Sequence, residues 1–192
     1  MKIGILSLQG AVSPHLDKLS ELGVRGHWVK QPKDLEDLSG IILPGGESST
    51  MLHLLRKAHL WEPLKLFVQK KPTWGICAGA ILLAKEVVSP QQPSLEALDV
   101  RAVRNAYGRQ TESFIERVKP SVQWMDAEPM EGVFIRAPRF ETLGPQVKIL
   151  FSLDSEPVML QQGKTLASSF HPELTSANKF HQFFLKLCQE SC

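Results

Sequence analysis

The feature that most constrains the fold is a unit that recurs through the first half of the chain. A run of four to seven mostly apolar residues, short for a helix, is followed at once by a stretch with helical spacing. KIGILSL (2–8) leads into 12–22, where Leu16, Leu19 and Leu22 recur at helical intervals and Gly23 suits a helix end. Residues 24–30 read as a strand, and GIIL (40–43) as a strongly buried one that ends in Pro44-Gly45-Gly46. Residues 48–59 and 63–70 read as helices, 72–76 as strand and 78–87 as helix. Uninterrupted apolar strands joined by helices predict a parallel sheet covered on both faces.

From about residue 95 the runs become shorter and strand-like: 97–103, 112–118, 132–135, 147–152, 157–161 and 165–170. They predict an antiparallel extension of the same sheet. An amphipathic helix near 176–189, carrying Phe180, Phe183, Phe184, Leu187 and Cys188, closes the chain. The expected architecture is α/β: a single domain over 1–192, three layers α/β/α and flavodoxin-like, with a mostly parallel sheet. SPQQP (89–93) reads as a loop within it rather than a boundary.

Composition excludes several classes. Lys and Arg number 22 against 20 Asp and Glu, interspersed, so there is no basic stripe for nucleic acid. No apolar stretch approaches the roughly 20 residues that cross a bilayer. MKIGILSLQG reads as a first strand rather than a leader. Three cysteines without CxxC spacing argue against a disulfide framework and against a zinc site, and no metal or cofactor is expected. A reducing, cytoplasmic setting fits, in which Cys77 remains a thiol.

Gly75-Ile76-Cys77-Ala78-Gly79 lies at a strand-to-helix junction and is the cysteine version of the G-x-S-x-G nucleophile turn. Such a turn strains its central residue and aims the side chain off the sheet, and glycines two residues away leave room for backbone and substrate. A helix starting at Ala78 would favour thiolate and offer amides to an oxyanion. The plainer reading is a small buried hydrophobe. A nucleophile also needs a base. Of the six histidines, 15, 27, 53, 59 and 181 lie within or beside helical or strand patterns and read as packing or surface residues. His171 differs, because it follows the run 165–170 and Pro172 keeps its backbone out of the helical region. In an extended segment His171 and Glu173 share a side, so the carboxylate can orient the imidazole. A turn leading into a helix is the plainer reading here.

A cysteine nucleophile implies acyl transfer. PGGESS (44–49) supplies glycine amides together with Glu47 and Ser48, although a loop with a serine cap has the same appearance. RNAYGRQ (104–110) and FIRAP (134–138) place Arg104 and Arg136 near strand ends, suited to gripping a carboxylate or equally to surface ion pairing. A small zwitterionic amide such as glutamine would use all of these groups.

Taken together, GICAG, SFHPE and PGG resemble the class I glutamine amidotransferase family. LSLQGAVSPH (6–15), LPGGESSTM (43–51), RNAYGRQ, GVFIRAP (132–138) and SFHPELT (169–175) are similar to its branch of glutaminase subunits of pyridoxal 5′-phosphate synthase, and the likeness runs the length of the chain. Relatives serving other pathways more often read C-L-G-x-Q after the nucleophile, where this chain has Ala78-Gly79-Ala80-Ile81. The resemblance implies that Cys77 attacks the amide of L-glutamine, His171 shuttles the proton and Glu173 orients His171. It implies an oxyanion hole from the amides of Gly46 and Ala78, that of Gly46 after its peptide turns. It places glutamine against Gly46, Glu47, Ser48, Arg104, Ile135 and Arg136. It also implies a hetero-oligomeric complex with a barrel-fold synthase subunit that consumes the ammonia; apolar residues near 8–11 are a candidate docking site. Amidotransfer in histidine, anthranilate or nucleotide synthesis, and a non-enzymatic redox or binding role, are the competing readings.

Overall fold

A computed structural model describes residues 1–104, 106, 113–121 and 128–191. In chain order the strands are β1 (Ile3–Leu6), β2 (Gly26–Val29), β3 (Gly40–Leu43), β4 (Thr73–Ile76), β5 (Ala84–Val88), β6 (Leu98–Val103), β7 (Phe114–Pro120), β8 (Met130–Phe134), β9 (Arg139–Glu141), β10 (Lys148–Leu153), β11 (Glu156–Gln162) and β12 (Thr165–Ser168). The helices are α1 (Val12–Glu21), α2 (Ser48–Lys57), α3 (Trp61–Val68), α4 (Ala78–Leu83) and α5 (Lys179–Glu190).

Four-residue strands such as IGIL and GIIL are buried on both faces because each neighbouring residue enters a different core. Ile3, Ile5, Ile42, Trp74 and Ile76 pack with Leu19 of α1 and with Phe180 and Phe184 of α5. Leu6, Ile41 and Leu43 point the other way, into the cluster formed by α2, α3 and α4. This two-sided burial makes three layers. A 9-stranded sheet runs in the order β2-β1-β3-β4-β12-β11-β10-β7-β8. The pairs from β2 to β12 are parallel and those from β12 to β8 antiparallel, as the sequence patterns imply.

Two expectations need correcting. The helix predicted over 78–87 stops at Leu83, and Ala84–Val88 is a strand. The run 97–103 joins not the main sheet but a separate 3-stranded sheet, β5-β6-β9. The β-branched pair Val87-Val88 favours the strand, and β6 supplies its partner from a distance in sequence. Of the predicted strand 112–118, Glu112 lies outside the described residues and the strand itself begins at Phe114. Among the described residues no helix is long and apolar enough to cross a membrane.

Candidate active site

β4 ends at Ile76 and α4 begins at Ala78, so Cys77 alone makes the turn, with φ +48° and ψ −101°. A positive φ on a residue with a Cβ is strained and persists only where its surroundings over-determine it. They do so here. The Cys77 N–H donates to Ser168 O at 2.8 Å, and Ile81 N–H donates to Cys77 O at 3.0 Å. The two flanking glycines are a matter of space: a Cβ on Gly75 would meet the Gly79 carbonyl at 2.6 Å, and one on Gly79 would run into the Leu43 carbonyl. The glycines let helix and strand close around the cysteine. The amide of Ala78 lies in the first turn of α4, where N–H groups have no acceptor within the helix.

β12 runs parallel to β4 and beside it, so the chain leaves the sheet next to the cysteine turn and delivers His171 there. The His171 N–H donates to Val133 O of β8 at 2.7 Å. Its ring lies so close to Gly45 that a Cβ there would overlap it. Residues 172–174 form a 3₁₀ turn rather than the extended segment predicted. That turn, and not a strand-like alternation, brings Glu173 onto the ring, with Nδ1 2.7 Å from Oε1. His171 and Cys77 line the same cleft, and the two side chains interact electrostatically. Burial by itself would lower the His171 pKa, but the bonds to Cys77 and Glu173 and their charges outweigh it and raise it to about 10. At neutral pH the ring is therefore an imidazolium between sulfur and carboxylate. Cys77 and His171 are each 6% exposed and Glu173 is 4% exposed, so their interaction is little screened by water.

Cys77 and His171 open on a cleft of about 340 Å³ lined also by Gly46, Glu47, Ser48, Arg104, Ile135 and Arg136, with Gly10, Ala11 and Leu174 among its other walls. All six residues expected to touch glutamine line it, but several are already engaged. Glu47, not Ser48, caps α2, accepting from Ser49 N at 3.2 Å and Thr50 N at 2.6 Å. Desolvation pushes the Glu47 pKa up, but the bonds from Ser49 and Thr50 overcome it and lower the value to about 2. Arg104 Nη2 donates to Glu47 Oε1 at 2.9 Å, so its guanidinium is ion-paired at the rim of the cleft. The Ser48 hydroxyl donates to Gln92 Oε1 at 3.0 Å. Arg136 adopts φ +45° beside Ile135, whose carbonyl lies 3.8 Å from Cys77 Sγ. Asn105 and 107–110 of the RNAYGRQ segment lie outside the described residues.

The model of the SNO glutamine amidotransferase family matches residues 5–190. The chain belongs to that family. A relative from Koribacter versatilis, named pyridoxal 5′-phosphate synthase subunit PdxT, is 49% identical over 97% of this chain and 95% of its own. One of the same name from Pyrococcus furiosus is 45% identical over 97% and 98%. A crystal structure of a glutamine amidotransferase superposes with a TM-score of 0.90 at 43% identity, covering 97% of this chain and 98% of that one. A putative GMP synthase subunit from Thermoplasma acidophilum, at 19% identity and a TM-score of 0.71, shares the fold.

Sequence reasoning missed two contributors to this family member's site. Gln9 holds the 45–47 loop, donating from Nε2 to Glu47 O at 3.2 Å and accepting from Glu47 N at 3.4 Å. The LQG motif contained it, but nothing local says that its amide serves a loop 38 residues away. His15, read as a packing residue, lies fully buried with Nε2 3.7 Å from Glu173 Oε2.

Proposed function

We propose that this chain hydrolyses L-glutamine to L-glutamate and ammonia through Cys77, His171 and Glu173, and hands the ammonia to a synthase subunit that makes pyridoxal 5′-phosphate. The observation that carries the reading is a single imidazole held 2.7 Å from a buried carboxylate and lining the same cleft as a strained cysteine. Membership of a glutamine amidotransferase family supports the substrate.

The mechanism follows from the charges. With His171 an imidazolium, Cys77 sulfur attacks the side-chain carbonyl carbon of glutamine as thiolate. The oxyanion is received by the Ala78 amide and, once its peptide turns, by that of Gly46. His171 gives its proton to the departing nitrogen, the C–N bond breaks and ammonia leaves a thioester on Cys77. The neutral ring then takes a proton from water. The hydroxide attacks the thioester and expels the thiolate, releasing glutamate and restoring the imidazolium. Glu173 holds the ring in one orientation throughout. Glutamine lies against Gly46, Glu47, Ser48, Arg104, Ile135 and Arg136.

The partner is a synthase subunit of barrel fold in a hetero-oligomeric complex. Ammonia freed into water near neutral pH becomes ammonium and is no longer nucleophilic, which favours docking over the cleft. The chain acts as one glutaminase domain over 1–192. The buried thiol of Cys77 suits a reducing, cytoplasmic setting.

The test is ammonia release from glutamine by the chain mixed with its synthase subunit. Folded Cys77→Ala is expected to release none above background. A Cys77→Ala protein that still releases ammonia at the wild-type rate would remove the nucleophile and the proposal with it.

A further inference from the structure

Behind the carboxylate of Glu173 lies a second group of titratable side chains that the mechanism above does not use. His15 of α1 and His181 of α5 are both fully buried, with His15 Nδ1 3.0 Å from His181 Nε2. The indole of Trp74 stands edge-on to both rings, its centroid 6.3 Å from His15 and 5.0 Å from His181, and donates from Nε1 to Ser168 Oγ at 3.3 Å. On the far side of His15, Nε2 faces Glu173 Oε2 at 3.7 Å, and neither atom has any other hydrogen-bond partner. Among the described residues no group of three or more His, Cys, Asp or Glu is placed to hold a metal ion, so the cluster acts by hydrogen bonding.

We infer that His15 is a positioning residue for the reaction: its Nε2–H points at Glu173 Oε2 and, with His181 behind it, fixes the carboxylate that orients His171. With Glu173 ionised, only one neutral tautomer of His15 makes both of its contacts attractive, and His181 Nδ1 has no hydrogen-bond partner in either. A proton on His15 Nδ1 would leave the Nε2 lone pair facing a carboxylate oxygen. With the proton on Nε2 that contact is attractive, and Nδ1 is free to accept from His181 Nε2–H. A doubly protonated His15 is opposed by burial first, then by the charges of His181 and His171, which together lower its pKa well below 6.5. The groups that face it are Glu173 from the 172–174 turn, His181 from α5 and His171 beyond the carboxylate. Lys18, on its own helix, is turned to Ser176 O at 3.3 Å and to Glu21.

At 3.7 Å the contact is longer than a hydrogen bond. A shift of under ~1 Å closes it to bonding range, and contacts of this kind often tighten only when substrate is bound. Each carboxylate oxygen then has its own imidazole, Oε1 holding His171 and Oε2 holding His15, so Glu173 cannot swing away. The inference rests on the triad reading for its catalytic meaning, but its first test does not.

That test is the ¹⁵N spectrum of the side-chain imidazoles in the isolated wild-type chain, followed by a titration of His171. His15 is expected to carry its proton on Nε2 between pH 6 and 9, and a proton on Nδ1 would overturn the inference. His15→Phe is expected to move the His171 midpoint down by about one pH unit, with His15→Gln, which keeps an N–H donor, recovering part of the shift. An unchanged midpoint in folded His15→Phe overturns the inference; if that variant does not fold, the wild-type tautomer decides. With the synthase subunit present, kcat for ammonia release should fall about tenfold in His15→Phe at nearly constant KM, the lower end of the scale for outer partners of metal-ligating histidines. A wild-type chain that shows the expected tautomer and shift but releases no ammonia would sink the glutaminase reading and leave the positioning role standing.

Discussion

The proposed triad joins two distant segments of the sequence, Cys77 from one and His171 with Glu173 from the other, and the environments of these side chains fit the roles proposed for them. Cys77 is forced into a positive-φ turn, and His171 is kept cationic by its two partners. Glu173 is buried where its charge acts at close range. Glu173→Gln is expected to lower kcat by about 10²–10⁴-fold without unfolding the chain, measured as ammonia release beside the thermal transition. It should also bring the His171 midpoint down from about 10, because a carboxylate bond and charge are lost. An active-site titration that leaves that midpoint near 10 would count against the assigned role. The sequence announced these three residues through short motifs. It could not announce His15, whose meaning arises only when α1 packs behind the 172–174 turn.

At the scale of elements, the site depends on two junctions. Gly79 must lie against the Leu43 carbonyl for α4 to leave β4 at this angle. Gly79→Ala is therefore expected to cost about 1–3 kcal/mol of stability, read from denaturant unfolding, because backbone must yield rather than a flexible side chain. Glu47 caps α2 and pairs with Arg104, so Glu47→Ala is expected to cost about 0.5–2 kcal/mol and to raise KM for glutamine more than it lowers kcat. The strands legible in sequence were those whose burial is continuous, such as GIIL and TWGI. The helical pattern over 78–87 outruns the helix itself because ILLA and VV make one apolar stretch around Lys85 and Glu86. What ends that helix is pairing with β6, which no local pattern contains. Likewise the short strand β9 follows Pro138 and owes its existence to pairing with β6.

For the whole molecule, the buried histidines set a pH window. His181 has its pKa lowered from 6.5 to about 3, by burial first and then by Lys18. Between those values the unfolded chain binds a proton that the folded chain refuses, so this contribution to stability is complete above about 6.5 and lost as pH falls. His171 works in the opposite sense. Its pKa is raised to about 10, so its contribution is complete below about 6.5 and lost as pH rises through about 10. The melting temperature is expected to be highest close to neutral pH and to decline on both sides, the alkaline decline being reduced in Cys77→Ala. A melting temperature flat from pH 5 to 9 would contradict this balance. The sheet order follows the same logic of placement: β12 returns to the centre beside β4, and that one crossover puts imidazole and thiol beyond the carboxyl ends of two neighbouring parallel strands. The central claim is that Cys77, activated by His171, is the atom that bonds to glutamine. It is tested most directly by mass spectrometry after treating the chain and its synthase subunit with a thiol-reactive glutamine analogue. Modification of Cys77 alone, prevented by excess glutamine and strongly slowed in His171→Ala, is the expected result; a label at Cys188, or an unlabelled Cys77 in a complex that is releasing ammonia, would contradict it.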